Sequence, residues 1–202
     1  MKIKKILAMA TVLAITTSYF PSMYAGAIEN DAIPMDSLKG YWTFENVEGD
    51  NIIDDSNNGK DATLKGNASI IDGGKNNKGL KLTGEKGTFL SIPSIFNLAQ
   101  ENVSLSFWVN ISPESENNRS GHTILLQQEG DGKSILYYAA SSSGDKLGSF
   151  VSGSDSFSNE KLTQDKWINV AMVSDYSKKE IKFYINGKLD STHLLSSLSK
   201  KL

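Results

Sequence analysis

The segment over residues 167–189 limits the fold more than any other part of the chain. It holds an apolar run over 167–173, a charged turn, a second run over 180–185, then Asn186-Gly187 and a third run. Asn-Gly between such runs is the strongest short hairpin signal, because a two-residue type I′ turn needs positive φ at both central positions. Strands joined this way are antiparallel. The pattern sets aside most nucleotide-binding α/β folds and points to a sandwich or barrel, whose function must be sought on faces and rims.

The rest of the chain continues in the same style. Tyr41-Trp42-Thr43-Phe44 predicts a strand with Trp42 and Phe44 on one face, and residues 45–61 read as a polar loop. Short strands are predicted over 62–64, 68–71, 80–83 and 89–92, punctuated by Gly73-Gly74, Asn76-Asn77 and Gly79. Val103, Leu105 and Phe107 alternate with Ser104 and Ser106, the mark of a half-buried strand. Residues 123–127 and 134–139 flank a turn at Glu129-Gly130-Asp131-Gly132-Lys133; 147–151 follow, and a Ser/Gly-rich loop over 152–159 leads into the 167–189 segment. Many short strands separated by turns every ~8 to 12 residues predict an all-β, antiparallel β-sandwich.

At the amino terminus Lys2, Lys4 and Lys5 precede an uncharged run from residue 6 to residue 20, and Ala25-Gly26-Ala27 follows. This is the order of a secretory signal peptide over residues 1–27, cleaved after Ala27. The run is interrupted by Thr11, Thr16, Thr17 and Ser18 and falls short of the ~20 apolar residues of a membrane span. The chain is therefore expected to be secreted, extracellular and free of membrane insertion after cleavage. Residues 28–37 read as a short polar leader and 38–202 as one domain. Lys and Arg number 21 against 23 acidic residues, and loss of the leader lysines makes the balance more acidic. No basic cluster suits nucleic acid or an anionic membrane. The absence of cysteine excludes thiol catalysis, Cys-bound zinc and a lipid-modified cysteine, and leaves the core without disulfide support.

In order along the chain, these segments resemble the laminin G-like domain of the concanavalin A-like lectin and glucanase superfamily, in its bacterial secreted form. Gly40-Tyr41-Trp42-Thr43-Phe44 is similar to the family's first strand, and Asp54-Asp55-Ser56-Asn57-Asn58-Gly59-Lys60-Asp61 to its Asp-x-Ser-Gly-Asn-Gly loop. Lys78-Gly79-Leu80-Lys81-Leu82-Thr83-Gly84 resembles its central Gly-x-Ala-Leu-x-Phe-x-Gly strand, and Leu105-Ser106-Phe107-Trp108-Val109 its Ser-Phe-Trp-Val strand. The Trp-x-His-Val-Ala and Tyr-Val-Asn-Gly segments correspond to Trp167 onward and to Tyr184-Ile185-Asn186-Gly187, with Asn169 where the family has His. The resemblance covers residues 38–190. It implies a concanavalin A-like jelly roll and a non-catalytic recognition or adhesion module, with a glycan or cell-surface glycoprotein as partner. The alternative is an accessory amino-terminal module, or a fragment, of a larger secreted glycosidase, sialidase-like or related, with no activity of its own. The family continues through two further strands, the last of which pairs with the first, so the resemblance also implies a sandwich lacking its last strands.

The residues bear on three chemistries. Asp54, Ser56 and Asn58 place oxygen side chains at positions 1, 3 and 5 of a loop with Gly59 at 6, and Lys60 offers a backbone carbonyl: the spacing that curls around Ca²⁺. The same residues can instead cap their own backbone as an Asx-rich turn. The resemblance implies a structural calcium in such a loop. For carbohydrate, an aromatic platform beside amides or carboxylates is needed; alternation puts one of Tyr137 and Tyr138 outward, and Phe157 lies in a polar loop, so any of the three is a candidate. Each is also readable as an ordinary half-buried ring, the commoner case for a strand aromatic. For catalysis, the resemblance directs attention to a Glu-x-Asp-x-x-Glu strand, which the sequence lacks: Glu48-Gly49-Asp50 and Glu129-Gly130-Asp131 lie in loops without a third acid.

Overall fold

The computed structural model describes residues 13–15, 37–96, 102–113, 122–127, 134–139, 144–151 and 154–195. The expected cleavage site at Ala25-Gly26-Ala27, residues 28–36, the turn at 129–133 and the tail beyond residue 195 lie outside them. Among the described residues there are strands and turns and no α-helix, so no helix there is long and apolar enough to cross a membrane. In chain order the strands are β1 (Leu13–Ile15), β2 (Leu38–Tyr41), β3 (Val47–Glu48), β4 (Asn51–Ile52), β5 (Ala62–Lys65), β6 (Ser69–Asp72), β7 (Lys78–Lys81) and β8 (Phe89–Ser91). They continue as β9 (Val103–Asn110), β10 (His122–Gln127), β11 (Ser134–Ala139), β12 (Lys146–Ser149), β13 (Ser156–Lys161), β14 (Trp167–Asp175), β15 (Glu180–Ile185) and β16 (Lys188–Leu194).

Every pairing is antiparallel. The largest sheet runs β16-β15-β14-β9-β1-β2; two four-stranded sheets run β10-β11-β12-β13 and β3-β4-β5-β8, and β6 pairs with β7. The expected sandwich is thus borne out. Its core is one cluster that includes Trp42, Phe44, Leu105, Phe107, Tyr138, Leu147, Val170, Met172, Ile181 and Phe183. The alternation read over 103–107 is seen and continues to residue 110: Val103, Leu105, Phe107 and Val109 are buried, whereas Ser104, Ser106, Trp108 and Asn110 are half-exposed. β14 and β15 alternate likewise, burying Ile168, Val170, Met172 and Ser174, then Ile181, Phe183 and Ile185. Asn186 (φ 50°) and Gly187 (φ 76°) both sit at positive φ between β15 and β16, as a type I′ hairpin requires.

Four details differ from the sequence reading. The first strand ends at Tyr41; Trp42 and Phe44 are both fully buried but lie beyond it, with Phe44 at φ 69°. The polar stretch after Phe44 contains the hairpin β3–β4, and the stretch read as a Ser/Gly loop contains most of β13. β13 is tied to β16 by Asp190, whose carboxylate accepts the backbone N–H groups of Asn159 (2.6 Å) and Glu160 (2.8 Å). Finally, Leu13–Ile15, within the segment read as a signal peptide, forms a strand between β2 and β9.

Candidate functional site

The loop from Asp54 to Asp61 is built around carboxylates that accept backbone N–H groups. Asp54 is 4 % exposed. Its Oδ1 accepts from the N–H of Tyr41 (2.9 Å) and of Ser56 (2.9 Å), and its Oδ2 from the N–H of Lys60 (3.0 Å). Burial alone would raise the Asp54 pKa, but the Ser56 hydroxyl and these N–H donors together hold it below the ordinary 3.8. Asp61 accepts the Asp54 N–H at 2.9 Å, and Asp55 accepts the N–H and hydroxyl of Thr43. Asn58 donates through Nδ2 to Leu38 O (2.7 Å) and to Ser56 Oγ (2.9 Å), and Lys60 O accepts the Trp42 indole N–H at 3.0 Å. In the calcium reading, Asp54, Ser56, Asn58 and Lys60 must turn their oxygens toward a shared centre. Here the Asp54 carboxylate accepts three N–H groups, the Asn58 Nδ2 donates to Leu38 O and Ser56 Oγ, and the Lys60 carbonyl accepts the Trp42 indole N–H. The arrangement is the self-capping turn.

Tyr137 and Tyr138 also differ from the expectation that one of them points to solvent. They are 1 % and 0 % exposed. Tyr138 faces the core, with its hydroxyl donating to Asp145 Oδ1 (2.8 Å) and accepting from Gln164 Nε2 (2.9 Å). Tyr137 lies on the opposite face of β11, over Gly148 of β12: a Cβ at Gly148 would stand 2.4 Å from the ring. Its hydroxyl donates to Asp155 Oδ1, and Phe157 meets it edge-on, ring centroids 6.3 Å apart. Burial, then the hydrogen bond and negative charge of Asp155, push the Tyr137 phenol well above its ordinary value of 10.0. Both tyrosine hydroxyls are engaged by carboxylates and both rings are covered, so neither offers a stacking surface. Phe157 is half-buried. A cavity of about 380 Å³ lined by Asp145, Lys161 and Gln164 opens beside the Tyr138 cluster.

The outward face of the six-stranded sheet gathers a different set. In β9 and β14, Trp108 is paired with Asn169, Trp167 with Asn110, and Ala171 with Ser106; in β15, Tyr184 is paired with Ala171. All are half-exposed. Direct cross-strand partners have Cβ atoms about 5 Å apart and diagonal ones about 7 to 8 Å, so Trp108, Trp167 and Tyr184 stand around Asn169. Asn169 is oriented by its Nδ2, which donates to Ser106 Oγ (3.3 Å) and Phe107 O (3.4 Å). Neither the Asn169 Oδ1, the indole N–H groups of Trp108 and Trp167, nor the Tyr184 hydroxyl has a hydrogen-bond partner among the described residues. Lys75, from the β6–β7 turn, places its ammonium 4.4 Å from the Trp108 ring centroid, a contact worth ~0.5–1 kcal/mol at an exposed site and so easily displaced. The rings, the amide and the open donors thus share one face. In the sequence these residues read only as strand and family markers; alternation places Trp108 opposite Phe107, but convergence on Asn169 depends on the β9–β14–β15 register.

A family model described as concanavalin A-like lectin/glucanases superfamily matches residues 83–201. No curated protein matches the chain. Among solved structures, the binding domain of botulinum neurotoxin serotype D superposes with a TM-score of 0.56 at 19% identity, over 77% of this chain and 39% of that one. At that identity the likeness is one of fold, and the chain spans well under half the length of the protein it resembles.

Proposed function

Because the chain belongs to the concanavalin A-like lectin/glucanases superfamily, we propose that it is a secreted, non-catalytic recognition module whose ligand is carbohydrate on a glycan or cell-surface glycoprotein. The observation that carries this reading is the cluster of Trp108, Trp167 and Tyr184 around Asn169 on one open sheet face. Sugars present apolar C–H faces, which stack on aromatic rings, and hydroxyl edges, which need paired donors and acceptors. The indole N–H groups are donors, Asn169 Oδ1 is an acceptor and the Tyr184 hydroxyl is both. A sugar ring seated on Trp108 displaces the Lys75 ammonium and regains the contact through its own C–H groups. On the same face, the carboxylate of Glu180 and the ammonium of Lys182 pair with each other at 2.8 Å.

The test is a glycan array probed with the purified chain in buffer with and without EDTA. Selective retention of glycans, equal in both buffers, is the expected result. An array on which no glycan retains the chain above background sinks the carbohydrate reading.

A further inference from the structure

We infer that the Trp108 face selects sugars bearing a free, protonated amino group over the same sugars with that nitrogen acetylated, a selectivity that rests on the carbohydrate reading above and narrows it to a class. The observation that carries it is Lys75, whose ammonium stands 4.4 Å from the centroid of the Trp108 ring. The free protein thus already holds a cation where a ligand would stack. An indole face attracts a cation through its quadrupole. Asn169 is the direct cross-strand partner of Trp108, with Cβ atoms about 5 Å apart, and its Oδ1 is open to accept from an N–H donor lying over the ring. The position therefore offers an ammonium both a π face and an acceptor.

Lys75 is an occupant that can leave. It is exposed at the tip of the β6–β7 hairpin, and main-chain bonds close that hairpin: β6 and β7 pair from Ser69 with Lys81 to Asp72 with Lys78, and the Gly74 N–H donates to Asn77 O at 2.7 Å. Rotation about the lysine stem clears the ring while the turn keeps its shape. The outward positions around Trp108 then supply no charge in its place, being Ser106, Asn110, Asn169 and Ala171. Lys182, further along the face, is held by Glu180 at 2.8 Å. A neutral sugar on this face gives up the cation contact and gains C–H packing alone. A sugar with an ammonium exchanges one cation for another and gains the packing as well; acetylation removes that charge. Trp167, diagonal to Trp108 across the same strand pair, gives the sugar ring a platform with the amino group over Trp108. A plain amine such as choline also suits the ring. It leaves the two indole N–H groups and the Tyr184 hydroxyl facing no partner, whereas sugar hydroxyls supply one to each.

The experiment titrates the purified full chain calorimetrically with three probes: a glucosamine oligosaccharide, its N-acetylated counterpart of equal length, and choline. The glucosamine oligomer is expected to bind roughly fivefold or more tightly than the acetylated one, and choline roughly tenfold or more weakly than the glucosamine oligomer. Trp108→Leu keeps an apolar side chain and removes the π face, so it is expected to bring the ratio of the two oligomers to about one. Lys75→Ala removes the resident ammonium and is expected to tighten binding of the glucosamine oligomer by roughly twofold to fivefold. Equal affinity for the two oligomers, or tighter binding of the acetylated one, overturns the selectivity and leaves the carbohydrate reading standing. A glucosamine preference that survives in Trp108→Leu overturns the placement of the amino group, and unchanged affinity in Lys75→Ala overturns the exchange of one cation for another. If Trp108→Leu does not melt cooperatively, the Lys75→Ala result decides. Choline binding as tight as the glucosamine oligomer overturns the assignment to a sugar. Binding of neither oligomer also overturns the selectivity, while the glycan array decides the carbohydrate reading by itself.

Discussion

Replacing Asp54 by alanine removes the acceptor for three backbone N–H groups at once: those of Tyr41, Ser56 and Lys60. Asp54 is 4 % exposed, so water does not readily take over. An orphaned donor costs about 1 to 3 kcal/mol when fully buried; only the Ser56 bond is buried and the other two are part-buried, so the three together cost about 3 to 5 kcal/mol. At about 2 to 4 °C per kcal/mol for a chain of this size, the melting temperature falls by roughly 6 to 20 °C. Asp54→Asn keeps the oxygen that serves Tyr41 and Ser56 and turns a donor toward Lys60, so its loss is smaller. The carboxyl has a lowered pKa in the fold, so it stabilises the fold fully above its unfolded value near 3.8 and loses that contribution as pH falls through the lower folded value. Wild type therefore destabilises on acidification through this window, and Asp54→Ala lacks that component. Calorimetry from pH 7 to pH 2, with and without EDTA, measures all of this. An alanine variant melting within about 2 °C of wild type refutes the capping argument, and so does an EDTA-induced drop as large as that of the substitution.

Other positions give independent tests. Gly148→Val forces a side chain into space held by the Tyr137 ring, 2.4 Å from a Cβ there; overpacking costs about 1 to 3 kcal/mol, read as a lower urea midpoint. The raised Tyr137 pKa keeps the phenol neutral in the fold, so stability declines as pH rises past the unfolded value of 10.0; Tyr137→Phe removes this decline and one late-titrating phenol from the ultraviolet titration. Ser174, fully buried on β14, has a hydroxyl without a partner among the described residues, so Ser174→Ala is expected to raise stability by about 0.5 to 1.5 kcal/mol, seen as a higher urea midpoint.

What was legible in the sequence was local chemistry with a single outcome. Asn186-Gly187 announces its turn because few residues accept positive φ twice in succession. The run from Val103 to Val109 announces its buried face because alternation has one period. β3 and β4 were illegible because two-residue strands are too short to carry a period. β13 was hidden by its polar composition: its buried Ser158 is satisfied locally, accepting the Leu147 N–H at 3.0 Å and donating to Glu160 O at 2.7 Å. At the candidate sites the decisive facts were non-local. Alternation says correctly that Tyr137 and Tyr138 face opposite ways, but it does not say that Asp155 and Phe157 meet the outer ring. Ligand spacing in Asp54-x-Ser56-x-Asn58 does not reveal that Tyr41, 13 positions earlier, takes up the same carboxylate. The pairing of Trp108 with Asn169 joins residues far apart in the chain, and only the register brings them together.

The central claim is that carbohydrate is held by the Trp108 face. Its most direct test is titration of a glycan retained on the array against wild type, Trp108→Ala, Trp167→Ala and Tyr137→Phe, with folding checked by calorimetry. The account predicts that each indole loss weakens binding by roughly tenfold or more, about 1.4 kcal/mol, at an unchanged melting temperature, and that Tyr137→Phe leaves affinity as in wild type. Undiminished binding by the Trp108→Ala and Trp167→Ala variants, or binding abolished by Tyr137→Phe alone, would contradict it.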